Sequence, residues 1–262
     1  MIVYTDLDGT MVGPGGSFFR TESGELTLEP ARALVALQAA RATLVLVSGR
    51  TRRQLAEAAR IFGADGYVGE LGAVVGWDGG RQHEVLRGTM PERYGTDTPL
   101  QVLRGLGVVD DLFARWPGSL AWHSPWHIEH ESNAMLRGSI DVEAVDRWLH
   151  ERGLGWLRLR DNGVLPEPGA THVYHLMPDG LSKGLGIARD LSRRGLQRAD
   201  AVAIGDSASD LDMAPYVRRI WVVANGARNS QMAGLMARHD NVEVSAGAVG
   251  LGWAEAVRGA LA

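Results

Sequence analysis

The sequence predicts an α/β protein, a doubly wound parallel sheet core with an inserted α+β domain. Two observations carry this. Near the start of the chain, and again near its end, short apolar runs stop at polar turn residues and lead into amphipathic helices. The stretch between differs in character and holds five of the eight tryptophans. A third observation bounds the size. The chain has 262 residues, 45% hydrophobic and 22% charged, which is ordinary globular usage and enough for a sizeable core.

The elements follow in order. Ile2, Val3, Tyr4 and Thr5 form a β-branched and aromatic run that ends at Asp6-Leu7-Asp8-Gly9-Thr10. Residues 11–27 are rich in Gly and Ser and read as a loop or hairpin. A helix is predicted over 29–40, with Ala33, Leu34, Leu37 and Ala40 at the 3.6 period and Thr27 as cap. A buried strand over 43–47 ends at Ser48-Gly49-Arg50. Thr51 with Gln54 three residues later is a capping-box signature for a helix to Phe62. In the middle, a helix over 142–151 is capped by Asp141, strands are predicted over 134–140, 156–160 and 172–177, and Asp161-Asn162-Gly163 is a turn signal. Toward the end, a helix over 181–194 has Ser182 as cap and Gly195 as stop. A strand over 201–204 ends at Gly205-Asp206-Ser207, a short helix covers 210–214, a strand over 220–224 ends at Asn225-Gly226, and a last helix covers 253–261. The domains expected are 1–80 and 176–262 as the core, with 81–175 inserted and closing over the site. Hinges are expected near Gly79-Gly80 and Pro178-Asp179-Gly180.

Composition excludes several functions. No cysteine is present, which removes disulfides, zinc thiolate sites, iron–sulfur clusters and thiol catalysis. A net charge of −4 without a basic run argues against nucleic acid as a standing partner. No apolar stretch approaches the roughly 18 residues of a membrane span. The first residues lack the basic segment of a signal peptide, so a cytoplasmic protein is expected.

In an open parallel sheet, ligands bind beyond the carboxyl ends of the strands. Four predicted strands deliver polar groups there: Asp6 and Asp8, Ser48, Asp206 with Ser209 and Asp210 beyond it, and Asn225. Lys183, at the start of a helix, can reach the same place. Carboxylates gathered in one crevice repel one another unless a cation sits among them, and oxygen ligands suit Mg²⁺. Lys183, Ser48 and the backbone N–H groups around Gly9 and Gly49 then form the positive side for a phosphate. One carboxylate of the Asp6/Asp8 pair can attack phosphorus while the other moves protons.

These residues resemble the four motifs of the haloacid dehalogenase (HAD) superfamily of phosphohydrolases. Asp6-Leu7-Asp8-Gly9-Thr10 is similar to the first, Ser48-Gly49-Arg50 to the second, Leu181-Ser182-Lys183-Gly184 to the third, and Gly205-Asp206-Ser207-Ala208-Ser209-Asp210 to the fourth. The order and spacing are right, and the motifs frame the whole chain. The insertion is similar to the α/β cap of the sugar-phosphatase branch, which includes sucrose-phosphate and mannosyl-3-phosphoglycerate phosphatases and Cof-like proteins. The resemblance implies a HAD-like core with a cap, Asp6 as nucleophile and Asp8 as general acid/base. It implies Mg²⁺ held by Asp6, the Asp8 carbonyl and Asp206 with Asp210 close by, and phosphate held by Ser48, Gly49, Lys183 and Asn225. The expected activity is phosphatase action on a small phosphorylated metabolite, a sugar phosphate or phosphoglycerate glycoside. A phosphomutase and a silent ligand-binding protein are the alternatives. The chain departs from the branch at Ser209, where many members carry Asn.

Other features compete with this reading. His123, His127 and His130 have spacings that could bring metal ligands together on a helix, but Pro125 and the tryptophans favour strand and turn. A substrate contact by His123, and by Arg137 to a second anionic group, is the expectation kept. Gly184-Leu185-Gly186 lacks the context of a dinucleotide loop and is set aside.

Overall fold

The computed structural model describes residues 1–165 and 171–262. In chain order the elements are β1 (Ile2–Asp6), α1 (Glu29–Ala39), β2 (Thr43–Val47), α2 (Arg52–Phe62), β3 (Gly66–Gly69), β4 (Val74–Trp77) and β5 (Gln82–Val85). There follow α3 (Pro99–Gly105), α4 (Val108–Arg115), β6 (Leu120–Trp122), β7 (Ala134–Gly138), α5 (Val142–Glu151), β8 (Leu157–Val164) and β9 (His172–Pro178). The chain closes with α6 (Lys183–Arg194), β10 (Ala201–Gly205), α7 (Ala208–Leu211), β11 (Arg219–Val222), α8 (Ala224–Ala227), α9 (Ser230–Met236), β12 (Val242–Val244) and α10 (Val249–Leu261). Two units result, Met1–Glu84 with Ser182–Ala262, and Val85–Leu181. Among the described residues, no helix is long and apolar enough to cross a membrane.

The first unit is built on a sheet of order β12-β11-β10-β1-β2-β3-β4-β5. β1 lies between β10 and β2, parallel to both, and β11, β12 and β3 continue the parallel part outward. β4 turns back antiparallel to β3. The order reverses at β1, so the crevice beyond Asp6 is the topological switch point where this architecture binds ligands. β1 is buried at every position, as a strand covered on both faces requires. The registers Asp6↔Val47 and Thr5↔Ile204 bring the ends of β1, β2 and β10 level. The motif residues therefore emerge at one height.

Several boundaries differ from expectation for physical reasons. Thr51 and Gln54 form the predicted box on α2, and Gly63 ends that helix in the left-handed region. α1 instead has Leu28 at its cap, with Thr27 Oγ1 accepting from the Glu29 N–H. α7 starts two residues early because Ser207 and Asp210 make a capping box of their own. β11 ends at Val222, so Asn225 stands on the short α8 rather than at a strand end. α10 begins at Val249, because Gly250 and Gly252, which weaken the helical signal, sit at close approaches to Pro30 and Gly247.

The second unit has an antiparallel sheet of order β6-β7-β9-β8. Leu120, Leu136, Tyr174, Leu176, Leu157 and Leu159 from its strands share a core with Leu103, Leu112, Val145 and Leu149 from its helices. α5 and its Asp141 cap fall where the sequence puts them, while α3 and α4 were not foreseen. The two are too short for periodicity to declare them, although Thr98 and Gln101 form a capping box at α3. Asp161-Asn162-Gly163 makes no hairpin turn. It lies inside β8, where the register with β9 shifts between Asp161 and Val164. A bulge uses the same positive φ, here +101° at Gly163, that a turn would.

Candidate active site

The site begins with a carboxylate that cannot leave the protein. Asp6, the last residue of β1, is 5% exposed, and Lys183 at the start of α6 is 4% exposed. Lys183 Nζ donates to Asp6 Oδ1 at 2.9 Å and to Asp210 Oδ1 at 2.7 Å. Of the 27 basic residues in the chain, Lys183 is the one lysine. Arginine serves everywhere else, so a compact ammonium is used only where two buried carboxylates close on it. Ser182 caps α6 by accepting from the Leu185 N–H, which fixes the helix start on which Lys183 stands.

Asp206 follows β10. Thr10 Oγ1 donates to its Oδ1 at 2.9 Å and Asn225 Nδ2 to its Oδ2 at 3.2 Å. Asn225 Nδ2 also donates to the Gly9 carbonyl, and Asn225 Oδ1 accepts from the Val249 N–H. Both ends of the Asn225 amide thus hold protein: it orients Asp206 and ties down the turn after β1. Gly9 is at φ +84°, and a Cβ there would stand 2.4 Å from Asp206 Oδ2. No other residue fits that turn.

Asp210 is fully buried. Its Oδ1 faces Lys183, and its Oδ2 accepts from the N–H groups of Asp206 and Ser207 and from Ser207 Oγ. This carboxylate is a brace for the lysine and the β10–α7 turn. Ser209 pairs its hydroxyl with Ser207 Oγ at 3.0 Å.

Asp8 behaves differently from Asp6. Its side chain is 55% exposed and meets Arg50 in a two-pronged pair, Nε to Oδ2 at 2.8 Å and Nη2 to Oδ1 at 2.6 Å. Arg50 and Thr10, part of the quoted motifs but given no role, are the functional positions sequence reasoning missed. Neither a lone Arg nor a lone Thr carries a signal before its partner is known. Ser48 is buried, its Oγ accepting from the Arg50 N–H at 3.3 Å, and Gly49 beside it is half-buried.

Burial dominates the electrostatics. Burial raises the Asp6 carboxyl well above its ordinary range, with Lys183 opposing and Asp210 and Asp206 adding to the rise. Asp206 is pushed up to about 7, mainly by burial and then by Asp210. Burial alone would lower Lys183, but Asp210 and Asp6 outweigh it and keep the ammonium charged. Oxygens of Asp6, Asp206 and Asp210 lie within 4.8 Å of one another. One ammonium among three carboxylates leaves negative charge in a buried place, and an all-oxygen donor set fits a hard divalent cation. Asp6 and Asp206 would hold it. Among the described residues, Asp6 is tied to Lys183 by one oxygen only, and Asp206 accepts only from the neutral Thr10 and Asn225 side chains. Asp210, in contrast, is tied to the ammonium by one oxygen and to two backbone N–H groups and Ser207 Oγ by the other.

The predicted residues Asp6, Asp206, Asp210, Lys183 and Asn225 come together by direct contact, and Asp8 and Ser48 emerge beside them with Arg50. Arg137 and His123 belong to the other unit. Arg137 is on β7 in register with Ala121 and Val173, and His123 follows β6, its N–H donating to the Met135 carbonyl. Among the described residues, His123, His127 and His130 form no metal-ligating group.

No family model matches the chain. Over 94 residues it is 31% identical to a phosphoglycolate phosphatase of Halobacterium salinarum, in each of two strains. That match covers 32% of this chain and 41% of the relative, so well under half the length of these curated relatives is spanned. Solved structures match end to end. A sucrose-phosphatase from Synechocystis, in complex with sucrose and phosphate, has a TM-score of 0.68 at 14% identity, over 99% of this chain and 97% of that one. A haloacid dehalogenase-like hydrolase from Bacteroides thetaiotaomicron has 0.63 at 16%, over 99% and 98%. A HAD subclass IIB sugar phosphatase has 0.62 at 13%, over 100% and 99%. The chain has the fold of the haloacid dehalogenase superfamily.

Proposed function

We propose that the chain is a Mg²⁺-dependent phosphatase of the sugar-phosphatase branch, acting on a small phosphorylated metabolite such as a sugar phosphate in the cytoplasm. The observation that carries this reading is the buried Asp6, with Lys183 on one oxygen and Asp206 and Asp210 beside it at the switch point. The whole-length likeness to sugar phosphatases supports the substrate class.

The residues divide the work. Lys183 accepts from no one and holds Asp6 by one oxygen. Among the described residues, no hydrogen bond engages the other oxygen of Asp6, which is therefore available to attack phosphorus. A bound Mg²⁺ would supply charge compensation between Asp6 and the incoming phosphoryl group. As the P–O bond to the leaving group breaks, Asp8, protonated beforehand by the incoming phosphate monoanion, gives that proton to the departing oxygen. Water then attacks the aspartyl-phosphate, its proton passing to Asp8, and inorganic phosphate leaves with Asp6 restored. Asp8 can do this only after at least one of its oxygens parts from Arg50. Its 55% exposure makes that exchange inexpensive.

The test is phosphate release from p-nitrophenyl phosphate and from a panel of phosphorylated metabolites, with Mg²⁺ and with chelator. Wild type is expected to turn over only with the metal, and Asp6→Asn to be folded and inactive. Full activity in chelator, or an active Asp6→Asn, would rule the mechanism out.

A further inference from the structure

Gly184 and Gly186 carry no ligand-binding signature, yet the fold places both in the first turn of α6, directly after Lys183. A Cβ on Gly184 would stand 1.9 Å from the Asp212 carbonyl oxygen and 2.8 Å from the Tyr216 ring. A Cβ on Gly186 would stand 2.4 Å from Val68 Cγ1 on β3 and 2.9 Å from the Gly72 oxygen. Gly72 in turn is at φ +100°, and a Cβ there would lie 1.8 Å from the Ser182 carbonyl oxygen. The start of α6 is thus gripped from two sides. The turn after β3 presses on one and the segment after α7 on the other, both at backbone contact distance.

The grip has a consequence at the lysine. Its ammonium must reach two carboxylates from one point, at 2.9 and 2.7 Å, inside a buried site. A side chain at either glycine would move the turn by about an ångström, since contacts under 3.0 Å are not tolerated. A shift of that size breaks at least one of the two bonds, and misplacements of about 1 Å cost reactions on the order of 10²-fold.

We propose that Gly184 and Gly186 are positioning residues, which set how deeply α6 seats and so place the Lys183 ammonium between Asp6 and Asp210. They touch no reacting atom. The inference rests on the phosphatase reading for its kinetic part and has a second readout that does not. Because Lys183 is the one lysine, acylation of its amine can be followed by mass spectrometry of a single peptide.

The experiment compares wild type, Gly186→Ala, Val68→Ala and the double variant Val68→Ala/Gly186→Ala. Each is assayed with Mg²⁺ and p-nitrophenyl phosphate for kcat and KM, and for the rate of Lys183 acylation in the folded protein. Gly186→Ala is expected to lower kcat by about 10- to 100-fold, more than it changes KM, and to acylate several-fold faster. The double variant, which removes the Val68 contact at 2.4 Å and leaves only the marginal Gly72 backbone contacts at 2.9 and 3.0 Å, should regain part of the kcat and of the protection. A folded Gly186→Ala with wild-type kcat and wild-type protection overturns the proposal. So does a folded double variant that stays as impaired as the single one. If Gly186→Ala does not fold, the double variant alone decides by the same criterion. A wild type that releases no phosphate sinks the phosphatase reading instead, and acylation then still judges the positioning role.

Discussion

Asp6 and Lys183 are 177 residues apart in the chain and 2.9 Å apart in the fold. Each is tolerated in the interior because of the other. Removing the ammonium by Lys183→Met leaves Asp6 and Asp210 buried without their cation. Breaking a buried pair in this way typically costs about 3–5 kcal/mol. The loss should shrink as pH falls from about 8 to about 5, because the Asp6 carboxyl, which burial raises well above its ordinary range, recovers neutrality by taking up a proton. Urea unfolding at the two pH values measures it, and a loss independent of pH would contradict the account. At this scale the sequence was legible in part. The residue types and their order in the chain announced the carboxylates and the lysine. The use of each oxygen was not legible. Asn225 was expected on phosphate, and in the structure its amide also reaches Asp206 and the Gly9 carbonyl, contacts that no local pattern announces. Arg50 stood in plain view beside Gly49, and only its approach to Asp8 gave it a role.

Among the elements, those with local reasons were the readable ones. α2 has a box of Thr51 and Gln54 at its start and a left-handed Gly63 at its end, all set by neighbours a few residues away. Thr51→Ala should cost about 1 kcal/mol by orphaning one N–H of the first turn. Because α2 follows Ser48-Gly49-Arg50, that turn should loosen too. A fall in unfolding midpoint without any fall in phosphate release would separate the helix from the site. α10 and the bulge in β8 show where local reading stops. Gly250 and Gly252 look like helix breakers, but they are there because Pro30 and the Gly247 carbonyl come too close for side chains. Asp161-Asn162-Gly163 favours a positive φ, and nothing in three residues says whether that φ serves a turn or a bulge.

Taken as a whole, the molecule stores acid-sensitive charge at one sheet edge. Asp206 has its pKa pushed up to about 7 in the fold, against about 4 in an unfolded chain. Between those values the folded, metal-free protein holds the extra proton, so its stability falls as pH rises from about 4 to 7. A divalent cation must displace that proton, and so should bind more tightly as pH rises through 7. The midpoint gain on adding Mg²⁺ is therefore expected to be larger at pH 8 than at pH 6. A gain that is equal or reversed would show that Asp206 is not in the metal's shell.

By itself the sequence determined the strand–turn–helix grammar, the parallel core and the set of chemical groups at its edge. Hydrophobic period, caps and turn residues act over a few positions, and such interactions are written locally. The tertiary structure alone decided which carboxylate meets the lysine, which one braces it, and which one is left to Arg50. Those outcomes depend on strand register and on how closely α6 can approach β3. Register and approach are set by packing between segments far apart in the chain, which no local pattern encodes.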